Sequence, residues 1–241
     1  MRTITTQSHR DYASLAKDYD DIRFSGTGGT FLERMDADII RDFVARTGAR
    51  TIVDIPTGTG RVASYVQPLG TDVIGCDLTP AMLELAKAKR LPNQIAFHDC
   101  DAKSLPFASH SVDCIVSLRF FHLFRWTDRP QFVQEFQRVL KPGGFVVCSF
   151  TNGFYGGGIN WLKKALGYRT VHFEMPGEVR SLFPGWTVVA ARGNFLPGQR
   201  FLTSLGPGTL VPFSQMLTAH WPLNRLCWER YLLLQAPKTN R

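Results

Sequence analysis

Residues 51–61, Thr-Ile-Val-Asp-Ile-Pro-Thr-Gly-Thr-Gly-Arg, have the make-up of a ligand cradle. A short apolar run ends in the carboxylate of Asp54, turns through glycines and enters a helix-forming stretch. Glycine lets backbone approach a ligand closely, and the N-terminus of the following helix offers unpaired N–H groups. Two chemistries fit. Gly58-Thr59-Gly60-Arg61-Val62-Ala63 satisfies the G-x-G-x-x-A form of the dinucleotide fingerprint, and Asp77 closes the next apolar run, where such a site keeps its ribose-binding acid. An NAD-dependent oxidoreductase is therefore one reading. Asp54 favours the other: a carboxylate at the strand end opposes a diphosphate, whereas a ligand bearing an ammonium or sulfonium group gains from it.

Other reactive side chains are few. His122, in Ser-Leu-Arg-Phe-Phe-His-Leu-Phe, follows an apolar run directly and is the candidate general base; His172 and His220 stand in longer irregular segments. The five cysteines (Cys76, Cys100, Cys114, Cys148, Cys227) show no CxxC pair and no metal-ligand spacing. Their odd number argues against a disulfide framework, so they are expected as buried free thiols in a reducing compartment, with no metal centre.

The elements that must position these groups alternate. Strands are expected at Thr51–Ile55, Asp72–Cys76, Gln94–His98, Val112–Leu118, Gly144–Phe150, Trp186–Arg192 and Trp228–Gln235. Helices are expected at Thr30–Thr47, Pro80–Lys89 (Thr79 as cap, Pro80 in the first turn) and Arg129–Leu140. Alternation of this kind builds an α/β fold, a mostly parallel sheet wrapped by helices, and such sheets bind ligands at their strand carboxyl ends. The 241 residues suit one domain: N-terminal helices over 1–48, a ligand-binding core over 49–150, and inserted segments at 151–185 and 193–227. Those two segments are longer than ordinary connections and rich in Gly, Pro and aromatic residues, as a cap over one end of the sheet would be.

Four stretches in order resemble class I S-adenosylmethionine-dependent methyltransferases, in particular the small-molecule subgroup of quinone biosynthesis. VDIPTGTG resembles the glycine-rich first motif, IGCDLTPAMLELAKAK (74–89) the acidic second-strand motif, HDCDAKSLPFASHSVDCIVS (98–117) the Asp-Ala and Leu-Pro-Phe run, and RVLKPGGFVVCSF (138–150) the approach to the fifth strand. Pro56 departs from the pattern by standing where the first glycine is usual; it fixes φ and removes an N–H. The resemblance implies a Rossmann-like seven-stranded sheet, mostly parallel with its last strand antiparallel, and S-adenosyl-L-methionine as cofactor. It also implies roles. Asp54 would orient the methionine end, with the backbone around Pro56, Gly58 and Gly60 lining it. Asp77 would accept from both ribose hydroxyls, and Leu78 would pack on the adenine. Asp101 would accept from the adenine amino group, the Ala102 N–H would face a ring nitrogen, and the Ser117 carbonyl would meet the cofactor's amino group. YASLAKDYDDIRF, with Tyr12, Tyr19 and Arg23, resembles the leading helix that closes over the cofactor in this subgroup.

Composition bounds the partners. Hydrophobic residues are 44% and charged ones 20%, as in an ordinary globular protein. The net charge of +8 combines −1 over residues 1–120 with +9 over 121–241, and the basic residues there stand mostly singly, so a basic surface is expected rather than a nucleic-acid stripe. No apolar run approaches the roughly 18 residues of a spanning helix, and the polar N-terminus does not read as a secretory signal, so a cytoplasmic protein is expected. The apolar, aromatic 201–226 stretch suits a lid over an apolar or aromatic acceptor, or peripheral contact with a membrane holding a lipid-like one. Without an N-P-P-Y-like motif, oxygen or carbon is the expected methyl acceptor. A cofactor-binding, non-catalytic subunit is the alternative from a different class.

Overall fold

The computed structural model describes residues 26–89, 94–152, 176–194 and 227–238. Its strands are β1 (Thr51–Asp54), β2 (Asp72–Asp77), β3 (Gln94–Asp99), β4 (Val112–Ser117), β5 (Leu140–Thr151), β6 (Thr187–Asn194) and β7 (Glu229–Gln235). The helices are α1 (Gly26–Thr47), α2 (Arg61–Val66), α3 (Pro80–Ala88), α4 (Arg129–Val139) and α5 (Pro176–Leu182). They form one seven-stranded sheet in the order β3-β2-β1-β4-β5-β7-β6. Pairings from β3 to β5 are parallel, and β7 runs antiparallel to both β5 and β6. The expected α/β class, strand set and antiparallel last strand are all present.

Strand period explains the two cores. Ile52, Cys114, Val116, Val147, Tyr231 and Leu233 turn to one face, where α1 and α2 cover them with Ile39, Ile40, Phe43, Val62 and Val66. Their neighbours Val53, Ile115, Val146, Cys148, Leu232 and Leu234 turn to the other, against Phe132 and Phe136 of α4 and Leu182 of α5. Successive strand residues point to opposite faces, so a strand buried on both sides reads as a continuous apolar run rather than an alternation. On α1 the buried residues Phe31, Met35, Ile39, Ile40, Phe43 and Val44 follow helical spacing and form a single stripe. All five cysteines are free and buried.

One local expectation holds in position and another is corrected. Thr79 is the N-cap of α3 with Pro80 in the first turn, although its side chain makes no capping bond; its own N–H is held by Asp77 Oδ1 at 2.9 Å. β5 begins at Leu140 rather than Gly144, because Leu140 pairs with Val112 and pairing resumes at Phe145 opposite Cys114. The Lys-Pro-Gly-Gly stretch between them is accommodated as an irregularity, with Gly143 at φ 75°. Most of 151–185 and 193–227, and with them His172, His220, Tyr12, Tyr19 and Arg23, lie outside the described residues.

Candidate ligand-binding site

In the sheet order, β1 lies between β2 and β4, so the chain winds away in opposite directions from it. A cleft of about 260 Å³ opens there, at the carboxyl ends of β1 to β4. Its walls are Ile55–Thr59 and one side of α2 (Arg61, Val62, Tyr65), then Asp77–Thr79 with Met82, then Cys100–Lys103. Leu118–Phe120, Leu123, Phe124 and Phe132 complete it.

The loop after β1 is built from backbone contacts. Thr57 N–H donates to the Cys76 carbonyl at 2.8 Å and Gly60 N–H to the Thr57 carbonyl at 2.9 Å; the Ile55–Pro56 bond is cis. Gly58 and Gly60 both take positive φ (53° and 77°), where a side chain is strained. Their duties differ. Gly58 lies on the cleft wall, whereas Gly60 is not among the lining residues and opens α2 against α3; a Cβ there would stand 3.1 Å from Ala86 Cβ. Gly75, which sequence reasoning passed over, makes room of the same kind: its Cβ would fall 2.9 Å from both Phe97 Cδ1 and Thr57 Oγ1. A lone glycine inside a strand pattern is the available signal for such an approach.

That room serves Asp54. Its carboxyl is fully buried and is not itself among the lining residues; Thr57 Oγ1 donates to Oδ2 at 2.7 Å, and Oδ1 has no partner among the described residues. Burial, with the Asp77 charge acting the same way against weaker help from Thr57 and Arg61, pushes the carboxyl up to about 8. Asp77 differs. Oδ2 accepts from Gly58 N–H at 2.8 Å and Oδ1 from Thr79 N–H at 2.9 Å, which fix the carboxylate at the cleft wall. The Gly58 N–H that a dinucleotide phosphate would use is thus committed to a carboxylate. Leu78 is 42% exposed, a large apolar side chain on the cleft with nothing covering it among the described residues.

Asp101 and Ala102 also lie on the wall. Asp101 is exposed and closes a turn: Oδ1 accepts from Lys103 N–H, its carbonyl from Ser104 N–H, each at 2.9 Å. Ser117 is fully buried, paired with Cys148 across β4 and β5, and not among the lining residues; its Oγ has no partner. His122 sits half-buried in a one-turn 3-10 helix (Phe121–Leu123) and is likewise not on the wall, although Phe120, Leu123 and Phe124 are.

Sequence reasoning missed the cluster beside the cleft. Arg119, at φ 53°, lines the wall and turns its guanidinium to Asp36 of α1, to Tyr231 Oη at 3.0 Å and to Glu229 at 3.2 Å. Asp36, fully buried, also accepts from Tyr231 Oη at 2.6 Å and from Asn194. Burial works against the Arg119 charge, but Asp36 and Glu229 outweigh it and raise its pKa well above the usual value. Arg119 N–H is fixed by Ser149 Oγ at 2.9 Å. These partners are spread over the whole chain, so no local pattern marks them.

Residues 53–148 match the family model described as a methyltransferase domain. The chain is 42% identical over 94 residues to a demethylmenaquinone methyltransferase of Chlorobaculum parvum, a stretch covering 39% of this chain and 37% of that one. It thus spans well under half the length of that relative. Over nearly the whole chain the fold is similar to magnesium protoporphyrin IX methyltransferase from Synechocystis PCC 6803 solved with bound SAH (TM-score 0.70, 15% identity, 97% and 99% of the two chains). It is similar too to the cyclase SpnF (TM-score 0.67, 15% identity, 97% and 96%). One fold therefore carries different reactions, and the site must decide between them.

Proposed function

We propose that residues 53–148, which match a methyltransferase-domain model, are the core of a class I methyltransferase that binds S-adenosylmethionine in the cleft and transfers its methyl group to an oxygen or carbon of a small, apolar or aromatic acceptor. The observation that carries the reading is Asp54: a fully buried carboxyl at the end of β1, behind the glycine loop, with one oxygen unpartnered. A buried carboxyl is costly without a donor, and a cationic ligand at the loop supplies one.

The residues divide the ligand among them. Asp54 and the Pro56–Gly58 backbone hold the amino-acid end, and Ser117 closes the same region from β4. Asp77, held at the cleft wall by Gly58 and Thr79 N–H, receives the ribose hydroxyls. Leu78 and Ala102 take the adenine, with Asp101 at its edge. When bound, the cofactor supplies an activated methyl group on a sulfonium. What remains for the chain is to align the acceptor, exclude water and, for a weakly acidic acceptor, remove a proton.

The Leu118–Phe120 turn borders this end of the cleft, and Arg119, clamped by Asp36 and Glu229, keeps it rigid. His122 remains the proposed proton acceptor, one position from the wall residue Leu123. An aromatic or quinol-like acceptor accords with the name of the Chlorobaculum relative and with the aromatic composition of 193–227.

Incubation of the full chain with S-adenosylmethionine and a panel of phenols and quinols tests this. S-adenosylhomocysteine should accumulate with at least one acceptor and fail to do so in Asp77→Ala. Binding of the cofactor without release of product across the panel would favour the non-catalytic reading.

A further inference from the structure

Cys76 and Cys100 are distant in the sequence and neighbours in the sheet. Cys76 on β2 pairs with His98 on β3, and Cys100 follows His98 by two residues, so both side chains leave the sheet on one face and join the same core. Cys100 N–H donates to the Asp77 carbonyl at 3.2 Å, which carries the ladder one step past β3. The two thiols are hydrogen-bonded to one another. That bond, then burial, with the Cys100, Asp54 and Asp77 charges adding to both, holds the Cys76 thiol far above its usual range, so it stays neutral. Cys100 differs in access. Of the five cysteines it alone lines the cleft, and it is 8% exposed where the other four are fully buried.

We infer that Cys100 and Cys76 form a dithiol that reacts with a small aliphatic disulfide entering the cleft, Cys100 as the attacking sulfur and Cys76 as the resolving one. Cys100 displaces a thiol from the reagent RS–SR: the bond from Cys100 to SR forms, the reagent's S–S bond breaks, and RSH leaves with the Cys100 proton. Cys76 then attacks the Cys100 sulfur, the Cys76–Cys100 bond forms, and a second RSH leaves with the Cys76 proton. The two cysteines are oxidised by two electrons and the reagent is reduced to two thiols. The product is neutral, so the Asp54 and Asp77 charges that oppose a thiolate do not oppose it, whereas a bound metal ion would need both sulfurs deprotonated. Diagonal neighbours on adjacent strands stand about 7–8 Å apart at Cα, beyond the roughly 6.8 Å that a disulfide spans. Closing the bond therefore draws Cys100 toward β2, and Asp101, Ala102 and Lys103, which follow it on the cleft wall, move with it. Oxidation and occupation of the cleft thus oppose each other, and this half of the inference rests on the cofactor reading above.

The test is incubation of the reduced full chain with bis(hydroxyethyl) disulfide, with and without S-adenosylhomocysteine, followed by peptide mapping of its cysteines by mass spectrometry. The parent should gain a Cys76–Cys100 disulfide that dithiothreitol reverses. Cys76→Ala should stop at a hydroxyethylthio adduct on Cys100, and Cys100→Ala should gain nothing at Cys76. S-adenosylhomocysteine at about 100 times its Kd should slow the parent's reaction on the order of 100-fold. By reciprocity the oxidised parent should bind that ligand about tenfold or more weakly. Adducts confined to Cys114, Cys148 or Cys227, or a Cys76→Ala protein that takes none on Cys100, would overturn the dithiol. A parent that binds S-adenosylhomocysteine yet oxidises equally fast with it would overturn the opposition between oxidation and occupation. A Cys76–Cys100 disulfide in a parent that binds no S-adenosylhomocysteine would leave the dithiol standing and overturn the cofactor reading.

Discussion

Asp36 and Asp54 are both fully buried carboxyls, yet their surroundings are opposites. Asp36, where α1 meets β6, β7 and the turn after β4, is saturated by Arg119, Tyr231 and Asn194. Asp54, at the end of β1, has one hydroxyl partner and a spare oxygen, and burial drives it up to about 8. A carboxyl that folding alone must hold is surrounded by donors. We propose that the one left short of donors is where a cationic ligand completes the set. The first stabilises the fold; the second costs stability.

The largest effect should come from breaking the saturated site. Arg119→Ala strands the Asp36 and Glu229 charges in the interior and should cost about 3–5 kcal/mol, read from urea unfolding. The equivalent change at the other site should do the reverse. Asp54→Asn should leave the unliganded protein as stable or more stable at pH 8, while weakening S-adenosylmethionine binding by about two orders of magnitude, some 2–3 kcal/mol.

The pH dependence follows from the same carboxyl. Its folded value lies above its ordinary 3.8, so its contribution to stability is complete below pH 3.8 and is lost as pH rises toward about 8. Asp54→Asn should flatten that slope in a pH series of unfolding curves. A cation binds the ionised form, so binding below pH 8 should release a proton. Calorimetry in two buffers of different ionisation enthalpy at pH 7 should detect it, and affinity should rise with pH by at most about tenfold per unit.

The smallest effects separate the two loop glycines. Gly58→Ala meets open space and should cost about 1 kcal/mol of backbone strain. Gly60→Ala adds a 3.1 Å contact with Ala86 and should cost roughly 1 kcal/mol more, through the α2–α3 packing rather than through the ligand. Thermal melts of the two variants with and without S-adenosylhomocysteine distinguish these routes.

What could be read from the sequence was what is local. β1 to β4 appear as apolar runs, α4 as a stripe of Phe132, Val133, Phe136 and Val139, and Asp54, Gly58 and Asp77 as punctuation at run ends. Each of those signals spans a few residues. Arg119 could not be read this way, because Asp36 lies 83 residues away and Glu229 110, and nothing nearby distinguishes it from a surface arginine. Asp54, read as orienting the ligand, is not on the cleft wall, and the wall omits Gly60 and Ser117, read as ligand-lining from the motif, as well. The positions of these two are set by how α2 meets α3 and how β4 meets β5, which are tertiary facts.

The central claim is that the short-handed carboxyl of Asp54 marks a site for a cationic cofactor. Titration of S-adenosylmethionine into the parent protein and Asp54→Asn, with NAD as the comparison ligand, tests it most directly. The account predicts micromolar binding of S-adenosylmethionine to the parent, a large loss in Asp54→Asn, and no binding of NAD. Equal affinity in the two proteins, or NAD binding in preference, would contradict it.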